Sequence, residues 1–243
     1  MINSVGLQGP GIPAWSTTGL PALLDAGVER IVISIWGRSI DEYAAAAALV
    51  ADLPAEVIAV EVNLSCPNLD GGRHLFAHDA QGAADVISRT VDVGRPVWAK
   101  LSPNTDKLVD VAGAVHAAGA EAVTLTNTLL GLSIDTETRR PRLGGGGGGV
   151  SGPAMHPVAV RCVWECRAAH PDLPIIGVGG VSSDEDAVEL MLAGANALQV
   201  GTASFARPSA VRDIDNDLVR WCERHDVRSV AELSGGAHGG PES

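Results

Sequence analysis

The sequence predicts an α/β fold of the (β/α) barrel type. Three observations carry this. Apolar, strand-like runs alternate with Ala-rich helical stretches. The strand runs are apolar on successive residues, the mark of parallel strands covered on both faces. Each run also ends in small or polar residues at its carboxyl end, whereas a doubly wound sheet concentrates its site at one switch point.

Taken in order, residues 3–13 read as a loop, the first recognisable segment. Strands are expected over residues 30–36, 57–64, 96–101, 122–126, 174–178 and 197–201, with helices over 19–24, 41–51, 80–91, 108–118, 157–168 and 183–193. The strands close on Ser34-Ile35-Trp36-Gly37, Asn63-Leu64-Ser65-Cys66, Lys100-Leu101-Ser102-Pro103, Thr126-Asn127-Thr128, Gly179-Gly180 and Gly201-Thr202. Ala118-Gly119-Ala120 before one strand recurs as Ala193-Gly194-Ala195 before another, as expected of equivalent helix-to-strand turns. The long connection from Asn127 to Gly180 contains a polar segment, residues 133–143, read as a small hairpin. A glycine run, residues 144–149, follows and is read as a flexible loop. The chain is taken as one barrel domain over residues 1–243 with about six βα units, strands 3 to 8 of a TIM (β/α)8-type barrel. A barrel opens on a strand, so its beginning is expected to be absent.

Composition narrows the function. With 46% hydrophobic but only 3% aromatic residues, the core is built from Ala, Val, Leu and Ile. The net charge of -12 argues against a nucleic-acid surface, so no nucleic-acid partner is expected. No apolar run approaches the roughly 18 residues of a membrane span, so no membrane partner is expected either. The four cysteines, Cys66, Cys162, Cys166 and Cys222, form no metal-binding framework. Free thiols in a large domain point to a reducing, cytoplasmic location.

The most informative segment is Glu61-Val62-Asn63-Leu64-Ser65-Cys66-Pro67-Asn68, an apolar strand that ends in two carboxamides, a hydroxyl and a thiol. Carboxamides offer both donors and acceptors, which suits a ring edge of alternating carbonyls and N–H groups. A thiol with a pKa near about 8.5 can act as an acid or base near neutrality. Lys100 sits inside an apolar strand, where a lysine is costly unless paired. Glycines at late strand ends let backbone N–H groups approach a phosphate.

Together these motifs resemble the dihydroorotate dehydrogenases, most closely the soluble class 1 and its NAD-linked catalytic subunit. Asn63-Leu64-Ser65-Cys66-Pro67-Asn68 is similar to the family's catalytic loop, with the cysteine of the soluble class. Asn3-Ser4-Val5-Gly6-Leu7-Gln8 is similar to its substrate loop, and Trp98-Ala99-Lys100-Leu101-Ser102-Pro103-Asn104 to its flavin-contacting lysine strand. Ser151-Gly152-Pro153, Gly177-Val178-Gly179-Gly180-Val181 and Gly201-Thr202 are similar to its flavin phosphate site.

The resemblance implies oxidation of dihydroorotate to orotate with FMN, in pyrimidine biosynthesis. It implies Cys66 as general base. It implies substrate contacts from Asn3, Ser4, Val5, Gly6, Leu7, Asn63, Asn68, Asn127 and Thr128. It implies FMN contacts from Asn63, Lys100, Thr126, Gly152, Gly179, Gly180, Gly201 and Thr202, and no metal. The implied partner is an iron–sulfur FAD electron-transfer subunit, in a homodimer or heterotetramer. Two departures stand out: Gln8-Gly9-Pro10 replaces the usual Gln-Asn-Pro, and the first two βα units, about 60 residues at roughly 30 per unit, are expected to be missing through a misplaced start. A dihydropyrimidine dehydrogenase–like flavin chain is the alternative within the enzymes, although Asn68 favours orotate chemistry. A non-catalytic barrel fragment is the alternative from another class.

Overall fold

The structure is a computed structural model that describes residues 1–65 and 76–239. In chain order the elements are β1 (Ile2–Asn3), α1 (Ile12–Asp25), β2 (Ile31–Ile35), α2 (Ile40–Ala51), β3 (Val57–Asn63), α3 (Ala80–Ser88), β4 (Val97–Lys100), α4 (Leu108–Ala117), β5 (Ala122–Leu125), β6 (Leu129–Gly131), β7 (Ile134–Asp135), β8 (Arg140–Pro141), β9 (Gly148–Val150), α5 (His156–Ala169), β10 (Ile175–Val178), α6 (Asp184–Ala193), β11 (Ala197–Gln199), α7 (Ala203–Ala206) and α8 (Ala210–Arg224). The six expected strands are all present, and they follow one another in one sheet in sequence order: β2, β3, β4, β5, β10, β11. The pairs β2–β3, β3–β4 and β10–β11 are parallel.

The chain divides into two compact units, one comprising Val5–Leu101 and Asp110–Val123, the other Met1–Ser4, Ser102–Val109 and Thr124–Ser243. In the first, the core is aliphatic: Ala47 and Val50 of α2, Val60 and Val62 of β3, Ala83, Val86 and Ile87 of α3, and Val97 and Ala99 of β4 are buried. Helices α2 and α3 start where the sequence supplies caps. Ser39 accepts from the Glu42 N–H at 3.2 Å and Asp79 from the Gly82 N–H at 3.1 Å. Tyr43 is fully buried, meets the Phe76 ring edge-on at 5.6 Å, and donates its hydroxyl to the Asn63 carbonyl at 2.7 Å. That bond ties α2 to the carboxyl end of β3.

In the second unit, α5 and α6 pack together and α8 lies against α6. Val188 and Met191 of α6 form a small core with Cys222 and Leu233, against which Leu218 and Trp221 pack. The capping box of Ser183 and Asp186 starts α6, and Gly194 with φ 128° ends it. A separate antiparallel sheet has the order β1–β9–β6, and β7–β8 is the hairpin expected within residues 133–143.

The structure departs from the sequence reading at four places. Residues 3–13 are not one loop: Asn3 belongs to β1, and α1 begins at Ile12 and accommodates Pro13 in its first turn, where no intrahelical N–H is needed. β2 is not covered on both faces, because Ile31, Ile33 and Ile35 are buried while Val32 and Ser34 are exposed. Helix α8 was not anticipated. Its buried positions, Ala210, Ile214 and Cys222, are sparse along a charged helix. Within residues 144–149, Gly148 and Gly149 are ladder residues of β9, paired to β1 and β6.

Candidate active site

In the first unit, the carboxyl ends of β3 and β4 are aligned so that Asn63 is opposite Lys100 and Glu61 opposite Trp98. The Leu64 N–H continues the ladder to the Lys100 carbonyl at 3.2 Å. Lys100 Nζ lies 3.4 Å from Glu61 Oε1, with the lysine side chain 22% exposed and the glutamate 5%. The lysine is therefore paired, as burial in an apolar strand requires. Glu61 was not singled out from sequence; a lone acidic residue inside an otherwise apolar strand, two positions before Asn63, is the signal that marks it. Asn63 Oδ1 accepts from the Ser65 N–H at 3.2 Å, which orients the carboxamide at the strand end. Ser65 Oγ is buried without a hydrogen-bond partner among the described residues. Cys66 and Asn68 lie outside the described residues. Val5, Gly6 and Leu7 are exposed and precede α1.

In the second unit, Asn3 of β1 is opposite Gly149 of β9. A Cβ on Gly149 would strike Thr128 Oγ1, and one on Gly148 would strike the Asn3 carbonyl. Glycine at these positions lets the Asn3 backbone and the Thr128 side chain close on β9. A Cβ on Gly145 would sit 3.4 Å from the Cβ of Ser4. Asn127 Oδ1 accepts from the Thr128 N–H at 2.7 Å. Asn104, another residue not assigned from sequence, anchors this turn: Nδ2 donates to the Thr128 carbonyl at 2.9 Å, and Oδ1 accepts from the Leu130 N–H at 2.9 Å.

The expected phosphate residues converge in the same unit. Gly152, Gly179 and Gly180 have φ of 92°, 141° and 75°, a region that disfavours side chains. A Cβ on Gly180 would lie 2.7 Å from His156 Cβ and 2.9 Å from the Gly152 carbonyl oxygen, and one on Gly152 would lie 3.4 Å from Thr202 Cγ2. Gly201 differs, being exposed with open space at its Cβ position. Thr126 donates its N–H to the Val178 carbonyl at 2.8 Å. The hydroxyls of Thr126 and Ser151 are buried and have no hydrogen-bond partner among the described residues. An enclosed hydroxyl left unpaired costs about 1–3 kcal/mol, so both suit a ligand that completes their bonding. Bare backbone at positive φ, a threonine and two unpaired hydroxyls form a donor set that fits a phosphate with a polyhydroxylated chain.

The cysteines on α5 have no chemical role of this kind. Burial pushes the Cys162 thiol up to about 11 and the Cys166 thiol up to about 12, so both stay protonated. Among the described residues no cluster of His, Cys, Asp and Glu could hold a metal ion, and no helix is long and apolar enough to cross a membrane.

Comparison with known proteins places the chain in a family. The sequence profile described as "Dihydroorotate dehydrogenase" matches residues 1–221. The chain is 44% identical to "Dihydroorotate dehydrogenase B (NAD(+)), catalytic subunit" of Geobacter sp. (strain M21), over 97% of this chain and 76% of that protein. It is 38% identical to the protein of the same name from Bacteroides thetaiotaomicron, over 97% of this chain and 77% of the relative. In fold it is similar to a crystal structure of DHODH from Eimeria tenella in complex with ferulenol, with a TM-score of 0.78 at 19% identity, covering 98% of this chain and 72% of that one. The parallel sheet in sequence order, the strand-end carboxamides and lysine, and the matched profile lead to one assignment: this chain belongs to the dihydroorotate dehydrogenase family, a family of oxidoreductases.

Proposed function

We propose that this chain oxidises dihydroorotate to orotate with FMN, in pyrimidine biosynthesis. One observation carries the reading: Asn63 and Lys100 stand opposite each other at the carboxyl ends of adjacent parallel strands, with Lys100 held by the buried Glu61. FMN, when bound, supplies the acceptor for the hydride that leaves C6 of dihydroorotate. Cys66 takes the proton from C5, its thiol serving as general base. Asn3, Ser4, Asn63, Asn68, Asn127 and Thr128 bind the pyrimidine edge and carboxylate, with Val5, Gly6 and Leu7 on the segment that follows β1. Lys100 places a cation toward the flavin, and Thr126 offers it a hydroxyl. Gly152, Gly179, Gly180 and Thr202 hold the flavin phosphate, with Gly201 beside Thr202.

The relatives carry the name of a catalytic subunit of the NAD(+) type. We therefore assign the electron-accepting step to a separate iron–sulfur FAD subunit.

Cys66→Ser tests the base directly. In the FMN-loaded protein mixed anaerobically with dihydroorotate, this change is expected to slow flavin bleaching by about a hundredfold or more. Bleaching at the unaltered rate removes Cys66 from the role.

A further inference from the structure

We propose that His156 is a positioning residue that locks the phosphate cradle, fixing the Gly179–Gly180 turn through its carbonyl so that the turn's N–H groups are preorganised for a phosphate monoester. The proposal rests on the reading of these glycines as the FMN phosphate site. His156 is the first residue of α5 and is buried. Its Nδ1 lies 2.8 Å from the Gly179 carbonyl oxygen, its Nε2 lies 3.1 Å from Glu189 Oε2, and Asp186 Oδ1 is 3.8 Å from Nε2.

The Gly179 carbonyl can only accept, so Nδ1 carries a proton and donates it. The Glu189 and Asp186 carboxylates also only accept, so the bonding is complete when Nε2 is protonated too. The ring is held from both ends, by β10's end on one side and α6 on the other. The backbone it fixes is the strained part of the cradle. Gly179 and Gly180 both have positive φ, and the Cβ position of Gly180 falls against His156 itself and the Gly152 carbonyl. Asp186 serves the same construction, accepting from the Ser182 and Ser183 N–H groups at 2.8 and 3.0 Å on the chain that leaves the turn. A turn left without this strut would have to be ordered by the ligand, at a cost in affinity.

The test compares two probes, FMN and riboflavin, which share the ring and ribityl chain and differ in the phosphate. Binding is followed by quenching of flavin fluorescence in the wild type, His156→Leu, His156→Asn and Glu189→Ala. His156→Leu is expected to weaken FMN by about tenfold while leaving riboflavin within about twofold. His156→Asn keeps a donor near the Nδ1 position and is expected to recover most of the loss. Glu189→Ala alters a side chain that is 60% exposed, so it keeps the fold testable if the leucine variant does not fold. It is expected to lose about threefold, again for FMN alone. An equal loss for both flavins, or no loss, overturns the positioning role. A wild type that binds riboflavin as tightly as FMN overturns the phosphate reading beneath it.

Discussion

The Glu61–Lys100 pair sets a stability prediction that its geometry fixes closely. At 3.4 Å the Coulomb attraction is about 5 kcal/mol for an effective dielectric constant near ~20. Desolvation offsets much of this, so the intact pair contributes little net, whereas removing one partner exposes the cost. Lys100→Met leaves a carboxylate whose side chain is only 5% exposed, and the expected loss is about 3–5 kcal/mol. Glu61→Gln leaves a lysine that is 22% exposed and keeps some water, so the expected loss is smaller, about 2 kcal/mol. The double variant removes both charges and should cost less than the sum, with a coupling of about 2 kcal/mol. Urea unfolding followed by circular dichroism gives all four free energies. Additivity within about 0.5 kcal/mol would show that the two groups do not act as a pair.

Other consequences follow from the same geometry. Gly180→Ala puts a methyl group 2.7 Å from His156 Cβ at φ 75°, and is expected to cost about 2 kcal/mol in unfolding and to abolish retention of FMN through gel filtration. Tyr43→Phe removes the bond to the Asn63 carbonyl and is expected to cost about 1 kcal/mol in the same unfolding assay. Burial opposes ionisation of Asp186, but hydrogen bonds from the Ser182 hydroxyl and N–H, nearby His156 and the Ser183 side chain together hold its carboxyl below the ordinary value of 3.8. A depressed folded-state pKa gives stability that is present above the unfolded value and lost as pH falls through the folded one. The stability gap between wild type and Asp186→Asn should therefore be widest near neutral pH and shrink below about pH 4, as acid titration of the unfolding midpoint would show.

The parallel strands were legible because burial demands apolar runs, and the runs at β3, β4, β5 and β10 are nearly unbroken. Only the second half of helix α1 was legible, as the helix expected over residues 19–24. Its first half was read as loop as far as Pro13, and Ser16, Thr17 and Thr18 satisfy the Pro13 and Ala14 carbonyls, bonds that only the folded helix displays. The glycine run reads as flexible by composition, yet Gly148 and Gly149 are glycine because β9 is closely flanked by Asn3 and Thr128. Asn63, Lys100 and the cradle glycines were visible as strand-end motifs. Glu61, Asn104 and His156 were not, because each acts on a residue distant in sequence, and spacing along one chain does not encode those partners.

The function proposed for this chain requires it to carry FMN and to use it on dihydroorotate. The direct measurement is an anaerobic titration of the FMN-reconstituted protein with dihydroorotate, following the flavin's visible absorbance and the orotate formed. Bleaching is expected to go to completion, with one orotate produced per flavin. A protein that binds FMN and keeps its colour in excess dihydroorotate would contradict it.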